Sequence, residues 1–206
     1  MKIPSGRADR TRQLLLDTTG QIISAEGYAA LSEEYLCRCS GVSRGAFRYH
    51  FPKGRYELLS AFAAGVVQGQ AERLAPLEPL SARERCYLVL MSMQQQAPSA
   101  ATVALLELWM ASRGDTRLAE SLAPAMQQSL QQFLGQDGGQ GDPELLALRF
   151  FVHGASMHAF SHDFSPEGLT VAIAWLLQKL PPPADLAARL AEFHQLRLAA
   201  SPLPRK

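Results

Sequence analysis

Along most of the chain the apolar positions recur at the three-to-four spacing of amphipathic helices, which predicts an all-α protein. The first helix is expected over about Ala8 to Ala25, with Leu14, Leu15, Thr18, Ile22 and Ile23 as its inner stripe and Gly27 as its stop. A short helix from Ser32 to Cys39 follows, then a second short one entered at Arg44. Gly54 to Ala75 reads as a longer helix with Tyr56, Leu58, Leu59, Phe62, Val66 and Leu74 available for packing. Pro76 and Pro79 break it, and Ser81-Ala82-Arg83-Glu84 has the spacing of a capping box opening the next helix, to about Gln96. Further helices are expected at Ala101 to Ser112, Thr116 to Leu134, Pro143 to about Phe164 and Pro166 to Leu180. The glycine-rich stretch Gly135 to Asp142 reads as a loop. Pro181-Pro182-Pro183 closes this set, and an extra amphipathic helix is expected over about 185–198.

The pattern around Gly41 carries chemistry. Ser40-Gly41 stops the first short helix where glycine tolerates left-handed geometry, and Ser43 stands where an N-cap belongs. Val42, Ala46, Phe47 and Phe51 then face inward, leaving Arg44, Gly45, Arg48 and Tyr49 outside. Cys37, four before the glycine, is small enough for a close crossing, and Phe47, six after it, is large enough to fill the core between the helices. Two short helices joined by a glycine turn, the second basic and aromatic, read as a helix-turn-helix that enters the major groove of DNA.

From Thr11 to Leu59 the chain also resembles the N-terminal domain of TetR-type transcriptional regulators. The matching residues are Leu15, Ile22, Glu26-Gly27-Tyr28, Ser32, Leu36, Gly41-Val42-Ser43, Gly45-Ala46-Phe47, His50-Phe51 and Leu58-Leu59. The stretch Leu108 to Leu118 is similar to a pattern of the family's C-terminal domain. The resemblance implies a DNA-binding domain over residues 1–53 and a larger helical domain over 54–206 that binds a small ligand and dimerises. It implies a homodimer formed through helices at about 143–164 and 166–180. It further implies release from a palindromic operator when the ligand enters. Three departures stand out. Arg48 occupies the usual place of a tyrosine, Cys37 that of an alanine, and Pro52-Lys53-Gly54-Arg55 runs one residue longer than the commonest form. Whether Lys53 or Arg55 takes the basic role there stays open, as does whether Arg48 meets bases or phosphate.

Charge and composition add modest support. Residues 1–60 carry nine Lys/Arg against six Asp/Glu, whereas the remainder carries eleven against thirteen, so the net +1 hides a basic front end. The hydrophobic content of 47% is enough for a sizeable core. No run of apolar residues is long enough to cross a membrane and no secretory signal is apparent, so a cytoplasmic protein is expected. Cys37, Cys39 and Cys86 are expected as reduced thiols, with a redox switch beside the DNA helix as the sharper alternative.

His158 and His162 share a helical face with His153 nearby, yet no third or fourth ligand has a clear place, so no metal is expected. Neither a phosphate-cradling loop nor a nucleophile elbow is present, which argues against an enzyme and against a cofactor. The candidate DNA contacts are Ser32, Ser43, Arg44, Gly45, Arg48, Tyr49, His50 and Lys53, with a basic arm at Arg7 and Arg10. Met91, Trp109, Met110, Met126 and Phe133 are the candidate lining of an apolar ligand pocket. The competing reading is a helical ligand-binding or interaction protein whose helix-turn-helix has degenerated. The arginines and tyrosine on the outer face of the second short helix discriminate against it.

Overall fold

The computed structural model describes residues 6–95, 98–134, 141–158, 163–186, 188, 189 and 191, excluding the side chains at 95, 133 and 134. Nine fully bounded α-helices, two 3-10 turns and a further helical stretch from residue 184 lie among the described residues, with no strand. The nine are α1 (Arg7–Glu26), α2 (Glu33–Ser40), α3 (Arg44–His50), α4 (Arg55–Leu74), α5 (Ala82–Gln95), α6 (Ala100–Ala111), α7 (Thr116–Leu134), α8 (Pro143–His158) and α9 (Pro166–Lys179). Most boundaries fall within a residue or so of those expected, because the chain marks its helix starts chemically. Ser32, Ser43, Ser99, Asp115, Asp142 and Ser165 each accept the backbone N–H three residues on. The capping box is formed as expected: Glu84 N donates to Ser81 Oγ at 3.2 Å and Ser81 N to Glu84 Oε2 at 2.7 Å.

The chain divides into two compact units. The first joins Met1–Gly69 to Pro98–Ser129, and the second joins Gln70–Ala97 to Leu130–Lys206. Compactness therefore does not follow the 53/54 boundary expected from the sequence. The reason lies in the core: Ala104, Leu105 and Leu108 of α6 and Leu118, Leu122 and Ala125 of α7 are buried in one cluster with Leu15, Ile23, Phe47 and Leu59.

In this first unit α1 meets α2, α3 and α6, so its buried stripe is broad, running through Leu15, Leu16, Thr18, Thr19, Gly20, Ile22 and Ile23. Leu14 was expected in that stripe but is 45% exposed. At 100° per residue it falls just outside the covered arc, and Leu16 takes the inward place instead. A polar brace crosses the same unit. Asp115 accepts the Tyr28 hydroxyl at 2.7 Å and the Tyr56 hydroxyl at 3.1 Å while capping α7 through Leu118 N. Burial, then the bond to Asp115, pushes Tyr28 up to about 12.

The second unit is built on α5, α8 and α9. Tyr87, Leu90, Leu148, Ile173 and Leu186 are fully buried there. Arg83 pairs with Asp142 at 2.7 Å and Glu144 at 2.9 Å, and Tyr87 donates to Glu144 at 3.0 Å. The helix expected to run to Phe164 is described only to His158; Phe164 itself is not helical, and His162 lies outside the described residues. His158 instead braces the following turn: Ser165 N donates to its Nε2 at 3.4 Å, and its ring lies 5.4 Å from Phe164. Of the C-terminal helix, residues 184–186, 188, 189 and 191 are helical; the remainder lies outside the described residues.

The Asp115 brace makes a pH prediction. The Leu118 N–H, then the Tyr28 hydroxyl, hold the Asp115 carboxyl below its ordinary 3.8. Its folded value lies under the unfolded one, so its contribution is complete above that ordinary value and is lost as the pH falls through the folded one. Asp115→Asn should therefore lower stability by a constant amount between about pH 5 and 7, with the gap to the parent narrowing in stronger acid. Urea unfolding across that range measures it, and a gap that widens in acid would contradict the assignment.

Candidate nucleic-acid interface

Helix α3 has two faces made by residue size and charge. Phe47 and Phe51 are fully buried behind it, their rings 5.8 Å apart, and Val42 packs against the same core. Arg44, Gly45, Arg48 and Tyr49 all stand in solvent, and Tyr49 is 78% exposed. Gly41 ends α2 in the left-handed region with φ +67, and Ser43 caps α3 by accepting Ala46 N at 3.2 Å. The inward and outward assignment read from spacing is thus the one observed.

The sequence reading did not anticipate what the arginines do in the free protein. Arg44 Nη2 lies 3.0 Å from Glu34 Oε2, and Arg48 Nη2 lies 2.5 Å from Glu33 Oε2. Both glutamates sit in the first turn of α2, immediately after the cap residue Ser32. The two pairs differ in setting. Arg44 and Glu34 are 69% and 71% exposed, a pair of the kind that contributes about 0–1 kcal/mol and opens readily. Glu33 is 29% exposed, and its other oxygen accepts the backbone N–H of Arg55 at 3.2 Å, the first residue of α4. The signal for this was present: two acids opening α2, and two arginines one helical turn apart on the next helix.

The remaining candidates are distributed as follows. Ser32 accepts Tyr35 N at 3.1 Å, which leaves its hydroxyl proton exposed at the start of α2. His50 is half-buried and meets the Tyr49 ring edge-on at 5.1 Å. Lys53 is exposed and, among the described residues, has no carboxylate partner for its ammonium. Arg55 turns inward: its guanidinium lies 4.4 Å from the Tyr28 ring centre and donates to the Leu31 carbonyl at 3.2 Å. Of the two basic residues left open after Pro52, only Lys53 therefore faces outward. Burial pushes the Cys37 thiol up and Cys86 up to about 11, which disfavours a thiolate at either site.

The five residues expected to line a ligand pocket do not gather within one compact unit. Trp109 and Met126 pack on the first core and Met91 on the second; Met110 is 45% exposed, and the Phe133 side chain lies outside the described residues. A groove of about 730 Å³ in the first unit is lined instead by Arg12, His50, Lys53, Tyr56, Glu57 and Arg117 among others. No three or more histidine, cysteine or acidic side chains converge as metal ligands among the described residues. Nor is any helix among them long and apolar enough to cross a membrane.

No protein-family model and no curated protein matches this chain. Solved structures do. A protein assigned as a TetR-family transcriptional regulator from Rhodococcus sp. superposes with a TM-score of 0.63 at 22% identity, over 82% of this chain and 97% of that one. The reduced form of NemR from E. coli gives 0.58 at 20% identity, over 82% and 97%. A protein assigned as a transcriptional regulator from Saccharomonospora viridis, solved with choline, gives 0.60 at 18%, over 82% and 96%. The chain thus has the fold of TetR-type regulators; at these identities the fold is what is shared.

The turn glycines yield a ranked prediction. Gly41 adopts φ +67 with open space around it, whereas Gly54 adopts φ +78 and an added Cβ would lie 2.7 Å from Glu33 Oε1. Gly41→Ala should lower stability by about 1–2 kcal/mol, the penalty of a left-handed non-glycine residue. Gly54→Ala should lower it further, because it also dislodges Glu33. Denaturant midpoints of equal shift would refute the packing assigned to Gly54.

Proposed function

We propose that this protein is a TetR-type transcriptional regulator, a homodimer that represses from a palindromic operator and is released by a small, partly apolar ligand. The observation that carries the reading is α3: an apolar back buried on a core, and an exposed outer face holding arginine, glycine, arginine and tyrosine. A helix so presented fits the major groove, where arginine pairs bidentately with guanine. The similarity of fold to known regulators supports the same reading. In it, Arg44 reads bases. Ser32, Ser43, Tyr49, His50 and Lys53 hold phosphates and set the register, and Gly45 lets the backbone approach.

The dimer is proposed through α8 and α9. Their outer faces carry an apolar stripe in solvent: Phe150 (67% exposed), Gly154 and Met157 on α8, with Val171 (69%) and Trp175 (58%) on α9. Such a stripe on a monomer marks an interface, and a second copy of the same pair completes a four-helix packing. Trp175→Glu should convert the dimer to a monomer in sedimentation velocity, with helix content retained; an unchanged dimer would exclude this face.

Selection from a random DNA library by the purified protein tests the function. Enrichment of a palindrome is expected; its absence with a folded helical dimer would favour the degenerate-regulator reading. On the selected site, Arg44→Ala should weaken binding by about 1–3 kcal/mol and flatten preference at one base pair. Lys53→Ala should weaken all sequences alike and reduce the salt slope by about 0.9 per subunit. Uniform loss in both variants would overturn the split between base and backbone contacts.

A further inference from the structure

Glu33 joins three helices. It sits in the first turn of α2, holds Arg48 of α3 at 2.5 Å through Oε2, and accepts the first N–H of α4, that of Arg55, at 3.2 Å through Oε1. The Gly54 backbone closes over the same carboxylate so tightly that a Cβ there would stand 2.7 Å from Oε1 and 3.7 Å from Arg48 Nη1. Arg55 in turn anchors this corner by donating to Leu31 O and stacking on Tyr28. A carboxylate at the front of a DNA-facing helix repels phosphate, so its presence calls for a compensating task. Its contacts supply one: Glu33 fixes the position of α3 against the start of α4.

We propose that Arg48 and Glu33 form a positioning pair for the recognition helix, with Arg48 supplying neither base readout nor phosphate neutralisation. Of the two arginines on the outer face, Arg44 is the one that reads DNA. Its own tether, Glu34, is 71% exposed and, among the described residues, makes no second ion pair or side-chain hydrogen bond. Release of Arg44 leaves this corner intact, whereas release of Arg48 removes a tie between α3 and the carboxylate that also caps α4. Specificity then depends on Glu33 although its carboxylate touches no base.

This inference rests on the DNA-binding reading above, and the test separates the two. Operator binding is measured by fluorescence anisotropy from low to high salt for the parent, Glu33→Ala, Arg48→Ala, the double variant and Arg48→Lys. Urea unfolding of the same proteins is followed without DNA. A positioning pair predicts that each single alanine variant weakens operator binding about tenfold and that the double variant is no weaker than either single. The salt slope should stay at the parent value in all four variants, and Arg48→Lys should recover most of the affinity by keeping the ion pair. Non-additive unfolding of the four alanine-cycle proteins should accompany this.

A slope lower by about 0.9 per subunit in Arg48→Ala would make Arg48 a phosphate contact and overturn the proposal. Tighter binding by Glu33→Ala, as expected for mere removal of a repelling charge, would overturn it as well. Failure of the parent protein to bind any selected site would instead refute the DNA-binding reading. Additive unfolding without DNA would refute the pair on its own.

Discussion

A helix of seven residues has too few internal hydrogen bonds to stand alone in water, so α3 exists only because of what lies behind it. Phe47 and Phe51 provide that support, both fully buried and in ring contact, within a cluster drawn from α1, α2, α4, α6 and α7. The outer face of α3 is supported from behind by those two rings. Capping and turn geometry then fix where the helix begins: Ser43 sets the first turn, and Gly41 allows the chain to reverse without strain. A surface of four exposed residues therefore depends on a core larger than itself.

The electrostatics of that surface are subtler than its composition. Two arginines one turn apart would form a strongly positive patch, yet each faces a glutamate from the start of α2. The acids also lie at the positive end of the α2 dipole, where they stabilise their own helix. The surface is thus close to neutral around α3, and Lys53, which has no carboxylate partner among the described residues, lies at its edge. On the DNA-binding reading proposed above, such pairing keeps non-specific attraction to phosphate low while leaving an exposed arginine in an easily opened pair.

Much of this was legible in the chain, for identifiable reasons. The helix starts were readable because serine and aspartate caps act over three residues, a range that sequence displays directly. The inward set Val42, Ala46, Phe47 and Phe51 was readable because seven residues of helix offer few alternative faces. Leu14 was misplaced because a helix packed by several neighbours has a broad buried arc, and its edges depend on partners far away in sequence. The Glu33 and Glu34 pairings were missed for the same reason: Glu33 and Arg48 are fifteen residues apart on different helices, and nothing local requires them to meet. Lys53 and Arg55 could not be ranked until Tyr28 supplied the ring on which Arg55 stacks.

The unit boundary has the same origin and a further consequence. Residues 98–129 follow a long excursion of chain, yet they return to close the core that the N-terminal helices begin. Asp115 fastens this return by taking hydroxyl protons from Tyr28, just after α1, and Tyr56, at the start of α4. Arg55 stacks on Tyr28, and its backbone N–H donates to Glu33, which holds Arg48. The contacts form one unbroken series from the cap of α7 to the outer face of α3, all inside a single compact unit. A change in how α7 begins has a route to α3 through short polar contacts that does not require deformation of the apolar core. A close-packed core resists small displacements, whereas hydrogen bonds and ion pairs exchange between discrete partners, so this series is where such a change could pass.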